Sequence, residues 1–207
     1  MTLHFIEFLL FLCTIMITSR IAVFASGSGT NAEAIFTYFQ NHPSIEVVLL
    51  LSNNQNAFAL ERAKKFSVPS RVFTKEQFRN SNEVLNWLVE YRVTHVALAG
   101  FLWLVPKNLL QAFSDRIINI HPALLPKFGG KGMYGMKVHE QVKTTAEKET
   151  GITIHLVNDQ YDEGKIVFQA KCLVDPNDTP EQIAAKVHQL EYAHYPRVIE
   201  EWIVGKQ

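Results

Sequence analysis

Cysteine is almost missing from this 207-residue chain, which has only Cys13 and Cys172. Two cysteines are too few for a disulfide framework or a cysteine zinc site, and they fit a reducing compartment, the cytoplasm. An excess of charge is missing too, since 20 basic residues balance 20 acidic ones. The chain therefore has no electrostatic footprint for nucleic acid and no broad polybasic surface. Nor is there a long apolar span. Phe5 to Ile17 is nearly all apolar, but it contains Glu7 and falls short of the about 20 residues that a membrane-crossing helix needs. A secretory signal would open on a basic segment, yet no Lys or Arg precedes Arg20, and cleavage near Ala25 would remove the first strand. Met16 offers a simpler account. Translation is expected to start there, with residues 1–19 as an apolar extension and residues 20–207 as one domain. What remains is globular material, 47% hydrophobic and 19% charged, long enough for a sizeable core.

Strands and helices alternate along that material. Arg20 to Ala25 (RIAVFA), Glu46 to Ser52 (EVVLLLS), Arg71 to Phe73, His95 to Ala99 (HVALA) and the run from Ile117 read as buried strands. Helices are expected between them: a first around Ala34 to Phe39, then about Ala57 to Phe66, Asn82 to Tyr91, and Pro106 to Phe113. This pattern gives an α/β fold, a doubly wound and mostly parallel sheet covered on both faces, as a single domain. After a glycine-rich loop, Lys127 to Gly135, the chain yields a helix at Val138 to Ala146. Strands follow at Gly151 to Asn158 and Lys165 to Leu173. The last helix is capped by Thr179, with Ile183, Val187, Leu190 and Ala193 as its buried stripe.

Two stretches carry candidate chemistry. Ser26 to Asn31 (SGSGTN) joins the first strand to the first helix. It matches neither the dinucleotide fingerprint nor a nucleoside triphosphate loop, because the glycine spacing differs and no Lys follows. Its glycines and the free N–H groups of a helix start suit a single phosphate; a plain tight turn capped by Thr30 or Asn31 is the alternative. The second stretch is IINIHPALLP, Ile117 to Pro126. Strand alternation turns Asn119 and His121 to one face, and Pro122 ends the strand there. An amide donor and an imidazole at the carboxyl end of a strand lie where open α/β sheets bind ligands. They suit a reaction in which a carbonyl oxygen becomes negative, although a capping Asn and an incidental His explain the decapeptide alone equally well.

Together, SGSGTN, AGFLWLVP after the fourth strand, NIHPALLPKFGG, GITIHLVNDQYDEG and LEYAHYP stand in an order that resembles the phosphoribosylglycinamide formyltransferases, the folate-dependent formyl-transfer step of purine synthesis. The resemblance runs from about Arg20 to the C-terminus. It implies 10-formyltetrahydrofolate as formyl donor, 5′-phosphoribosylglycinamide as acceptor, and no metal. It carries the catalytic residues onto Asn119, His121 and Asp162, the phosphate loop onto Gly29, Thr30 and Asn31, and the ribose-binding carboxylate onto Glu191. His155 corresponds to a histidine near the centre of the site. Leu102, Trp103, Leu104 and Val105, with the loop from Asn158 and Asp159 to Asp162, correspond to the pterin side. On this reading Asn119 and a protonated His121 donate to the oxyanion, and Asp162 favours the imidazolium and orients a water for proton transfer. Without the companion stretches, Asp162 reads as a turn carboxylate, His155 as a core histidine and Glu191 as part of a polar helix face.

The chain departs from the family at two places. Trp103 stands where an Arg is common, and KFGGKGMYGMKVH is longer than the usual loop, which shifts the loop histidine to His139. Related readings are a methionyl-tRNA formyltransferase, a formyltetrahydrofolate hydrolase, a sugar-nucleotide formyltransferase, or a non-catalytic folate- or nucleotide-binding protein. The expected partners are small molecules, with no nucleic acid and no membrane, and the expected state is a monomer or homodimer.

Overall fold

The computed structural model of the chain describes residues 19–205. The expected start at Met16 and the apolar extension fall outside them, except that Ser19 already belongs to the first strand. In chain order the elements are β1 (Ser19–Phe24), α1 (Thr30–Phe39), β2 (Ile45–Ser52), α2 (Phe58–Lys65), β3 (Ser70–Val72), α3 (Lys75–Arg79), α4 (Glu83–Glu90), β4 (His95–Leu98), α5 (Lys107–Ala112), β5 (Ile117–His121), α6 (Met136–Thr144), β6 (Glu149–Leu156), β7 (Ile166–Leu173) and α7 (Pro180–Val204). The short helix α3 was not expected from apolar periodicity. A capping box makes it, with Thr74 accepting from the Gln77 N–H and the Gln77 side chain reaching back.

The strands form one seven-stranded sheet in the order β3-β2-β1-β4-β5-β6-β7. Pairs from β3 through β5 are parallel, and β5–β6 and β6–β7 are antiparallel. From β1 the chain runs outward to β2 and β3, then returns to lay β4 on the other side of β1. This reversal leaves a crevice beyond the carboxyl ends of β1 and β4, the place where such sheets hold ligands.

Two apolar layers fix the sheet. One holds Ile21, Val23, Leu50, Ile118, Ile120 and Ile154 against α1 and α7. The other holds Ala22, Phe24, Leu49, Leu51, Leu98 and Ile117 against Phe73, Phe78, Leu88 and Phe101. Leu49, Leu50 and Leu51 are all fully buried, because successive side chains enter opposite layers. Each such side chain contributes roughly 1.5–3 kcal/mol, so the strands need no polar face. In β5 the alternation runs Ile118 and Ile120 into the α1/α7 layer, which leaves Asn119 and His121 on the other side.

Helix α7 begins with a second capping box, Thr179 with Gln182, and Pro180 at its first position. Its buried stripe differs from the expected one. Ile183 and Val187 belong to it, but Ala193 is exposed, and the stripe continues through Glu191, Tyr195 and Ile199 at fourfold spacing. The Tyr195 hydroxyl donates to the Leu98 carbonyl at 2.9 Å, with the Ile118 carbonyl at 3.2 Å. It thereby clamps the end of β4 to the start of β5. Tyr195→Phe leaves those carbonyls without their buried donor and should lower the unfolding free energy by about 1–3 kcal/mol. Urea denaturation checks this, and an unchanged midpoint would show that the hydroxyl does not matter.

Candidate active site

A cleft of about 700 Å³ opens at the reversal point. Its lining gathers the loop 26–31, the segment 98–105, β5 from Asn119 to Pro122, the glycine-rich loop 130–136, the stretch 160–162, and His139, His155, His188 and Glu191. Stretches far apart in sequence thus meet in one cavity, because each follows the carboxyl end of a strand or faces it from α6 or α7.

Antiparallel pairing sets His155 directly opposite Asn119, and Thr153 opposite His121. His155 Nδ1 lies 2.8 Å from the Leu156 carbonyl, which can only accept, so that nitrogen carries the proton. Its Nε2 therefore accepts from Asn119 Nδ2 at 3.0 Å. One amide hydrogen of Asn119 is held by this bond and the other remains to donate. Thr153 anchors the chain beyond Pro122, donating to the Ala123 carbonyl at 2.7 Å and accepting from the Leu125 N–H at 2.9 Å.

Asp162 arrives from the β6–β7 loop on a left-handed backbone, φ 58°. Its Oδ2 accepts the Gly130 N–H at 2.9 Å and lies 3.4 Å from His121 Nδ1, while Oδ1 lies 3.6 Å from His155 Nε2. Burial alone would raise its pKa. The two imidazoles and the Gly130 N–H outweigh burial and hold the carboxyl below its ordinary value, so it is ionised at neutral pH.

His121 lies under opposing influences. Burial lowers its pKa by more than the Asp162 charge and the Phe128 carbonyl raise it. Its Nε2–H donates to the Phe128 carbonyl at 2.7 Å, and Nδ1 faces Asp162 Oδ2 at 3.4 Å. Donation from this ring to an oxyanion requires the glycine-rich loop to release that bond.

Elsewhere in the cleft lining, the backbone N–H groups of residues 27–31 have no hydrogen-bond partner among the described residues. Gly29 precedes α1 with φ 72°, and a Cβ there would come within 2.5 Å of Ala59 in α2. Only glycine lets the loop lie this close. Asn31 Nδ2 donates to Glu191 Oε2 at 3.0 Å, tying the loop to α7. Glu191 is 5% exposed, far from a plain polar helix face, and burial pushes its pKa up to about 7 against the effect of Asn31.

The apolar segment faces the cleft with Leu102, Trp103, Leu104 and Val105. Trp103 also packs on Phe73 and Phe78, so it belongs partly to the core. Asn158 and Asp159 do not line the cleft. Asn158 Oδ1 accepts the Gln160 N–H and shapes the turn, Asp159 is exposed, and Val157, Gln160 and Tyr161 line the wall instead. His188 also lines the cleft. Its signal was its place three residues before Glu191, on the same helix face.

Residues 19–199 match the formyl transferase family, and the chain belongs to it. It is 42% identical over 186 residues to the chloroplastic phosphoribosylglycinamide formyltransferase of Arabidopsis thaliana, covering 87% of this chain and 64% of that protein. It is 37% identical to the phosphoribosylglycinamide formyltransferase of Bacillus subtilis, covering 88% of this chain and 93% of that one. The chain thus spans less than two thirds of the plant relative's length and nearly all of the bacterial one. Among solved structures, glycinamide ribonucleotide transformylase 1 from Symbiobacterium toebii superposes with a TM-score of 0.83 at 34% identity, over 92% of this chain and 89% of that one.

Glu191 yields a stability signature. A carboxyl whose folded pKa of about 7 exceeds its ordinary 4.5 binds a proton on folding, so its contribution is complete below pH 4.5 and lost as pH rises through 7. Wild-type stability should therefore fall across that window relative to Glu191→Gln, which has no proton to lose. Urea midpoints of both proteins from pH 4.5 to 8 test this, and parallel curves would contradict it.

Proposed function

We propose that the protein transfers a formyl group from 10-formyltetrahydrofolate to the amine of 5′-phosphoribosylglycinamide. One observation carries this reading: a free amide hydrogen on Asn119 and the His121–Asp162 pair share a cleft with a loop of unpartnered N–H groups. A carbonyl-addition centre beside an anion cradle suits an acceptor with a nucleophile at one end and a phosphate at the other. The relatives' names point to the same acceptor. The donor enters as a substrate. Leu102, exposed by 44%, and the neighbouring Trp103, Leu104 and Val105 offer an apolar wall that suits a flat ring system, with Val157, Gln160 and Tyr161 on the facing loop.

The residues divide the work by the charge each can bear. A nitrogen–carbon bond forms at the formyl carbon as the donor's nitrogen–carbon bond breaks, and one proton passes from the attacking amine to the leaving nitrogen. Asn119, oriented by His155, donates its second amide hydrogen to the developing oxyanion. In its neutral form His121 offers its Nδ1 lone pair to the amine proton, directly or through water. Asp162 stabilises the imidazolium that results. Gly29, Thr30 and Asn31 receive the phosphate on their N–H groups, and Glu191 accepts from ribose hydroxyls once ionised. No helix among the described residues is long and apolar enough to cross a membrane. The low cysteine content supports a reducing compartment, the cytoplasm, and the protein is taken to act as a monomer or homodimer.

The reading is tested by supplying the formyl donor with either the ribonucleotide or water. Formylated ribonucleotide is expected. Donor hydrolysis alone would make the protein a hydrolase, and binding without turnover a carrier. In the same assay Asn119→Ala should lower kcat about a hundredfold or more, the scale for losing one oxyanion donor. A loss confined to KM would remove Asn119 from the chemistry.

A further inference from the structure

Both proposed substrates are anionic, yet Lys131 is the single Lys or Arg among the described residues that line the cleft. Asp162 and Glu191 share that lining. Even so, Lys131 has no ion pair or hydrogen bond among the described residues. Its backbone is nevertheless fixed. The Gly130 N–H is anchored on Asp162 at 2.9 Å, and the Met133 N–H closes a turn on the Gly130 carbonyl at 3.1 Å. Lys131 occupies the first corner of this turn. Gly132 takes the second at φ 92°, a conformation that a type II turn reserves for glycine. A flexible cation is thus mounted on a rigid corner, one residue from the anchor on the catalytic carboxylate.

The topology decides which substrate it serves. The turn leads into α6, which packs against α7, where the His139 ring approaches His188 at 6.3 Å between centroids. Helix α7 in turn carries Glu191, bonded to Asn31 of the glycine loop. His139 is buried here with Nδ1 unpartnered, so this half of the cleft contains polar capacity that the protein itself does not use. The apolar segment 102–105 adjoins the other layer of the sheet, around Phe73, Phe78 and Phe101. Through α6 and α7 the turn is thus linked to the elements that carry Glu191 and the loop 27–31. There the unpartnered N–H groups of residues 27–31 supply dipoles but no full charge to balance a dianionic phosphate monoester.

We propose that Lys131 closes over the ribonucleotide and pairs with its 5′-phosphate, making the glycine-rich turn a specificity element of the acceptor site. The proposal rests on the formyltransferase reading for its substrate, but its test does not need turnover. Ribose 5-phosphate binding to the full chain is measured by calorimetry at low and high salt, for wild type, Lys131→Ala and Lys131→Arg. Lys131→Ala should weaken binding about tenfold, the scale of one charge-assisted contact, and flatten the salt dependence; Lys131→Arg should retain most of the affinity. In steady-state assays the Lys131→Ala KM for the ribonucleotide should rise with that for the folate unmoved. Unchanged ribose 5-phosphate binding would make Lys131 a solvent lysine, and a rise confined to the folate KM would assign its charge to a folate carboxylate. Equal losses in the Ala and Arg variants would trace the effect to the turn rather than to charge. Any of the three overturns the proposal. Wild-type binding of ribose 5-phosphate without formyl transfer would instead sink the formyltransferase reading and leave this one standing.

Discussion

A carboxylate must stay ionised where burial opposes its charge, and the cleft is built around meeting that demand. Asp162 is held by one backbone N–H from the glycine-rich loop and faces two imidazoles from adjacent strands. Each neighbour has its own requirement. His155 can face the carboxylate only because β6 runs antiparallel to β5, and His121 only because Pro122 stops β5 at that residue. Asp162 itself sits on a left-handed backbone, which costs a non-glycine residue about 1–3 kcal/mol unless its surroundings enforce it. That strain is stored where three segments converge.

The same convergence ties the pair to the glycine-rich loop. The glycine-rich loop bonds both Asp162, through Gly130, and His121, through the Phe128 carbonyl. A movement of this loop therefore changes the surroundings of both members of the pair at once. It also carries Lys131.

The framework was legible in the sequence because it rests on local rules. Continuous apolar runs marked the strands, period-two alternation placed Asn119 beside His121, and Thr179-Pro180 marked the start of α7. What depended on tertiary context was less accessible. Glu191 was expected from the resemblance to bind ribose, with a polar helix face as the alternative; its burial shows only in the stripe that runs through it to Tyr195, four residues on. The Asn158–Asp159 turn looked like cleft wall, but its polar side chains shape the turn and meet solvent while Val157, Gln160 and Tyr161 line the cleft. The direction of the His121 pKa shift could not be read from its neighbour in the motif. It follows from the balance of burial against Asp162, and burial is a property of the whole fold.

The central claim is that the ionised Asp162 governs proton movement at His121 and plays no part in binding. Asp162→Asn keeps the shape and can still accept the Gly130 N–H, but it removes the charge. The decisive measurement is kcat and both KM values for this variant against wild type. Loss of a positioned proton-transfer group is worth about a hundredfold to ten-thousandfold in rate, so kcat should fall by that much with both KM values little changed. A variant with wild-type kcat would contradict the account and reduce Asp162 to a loop carboxylate.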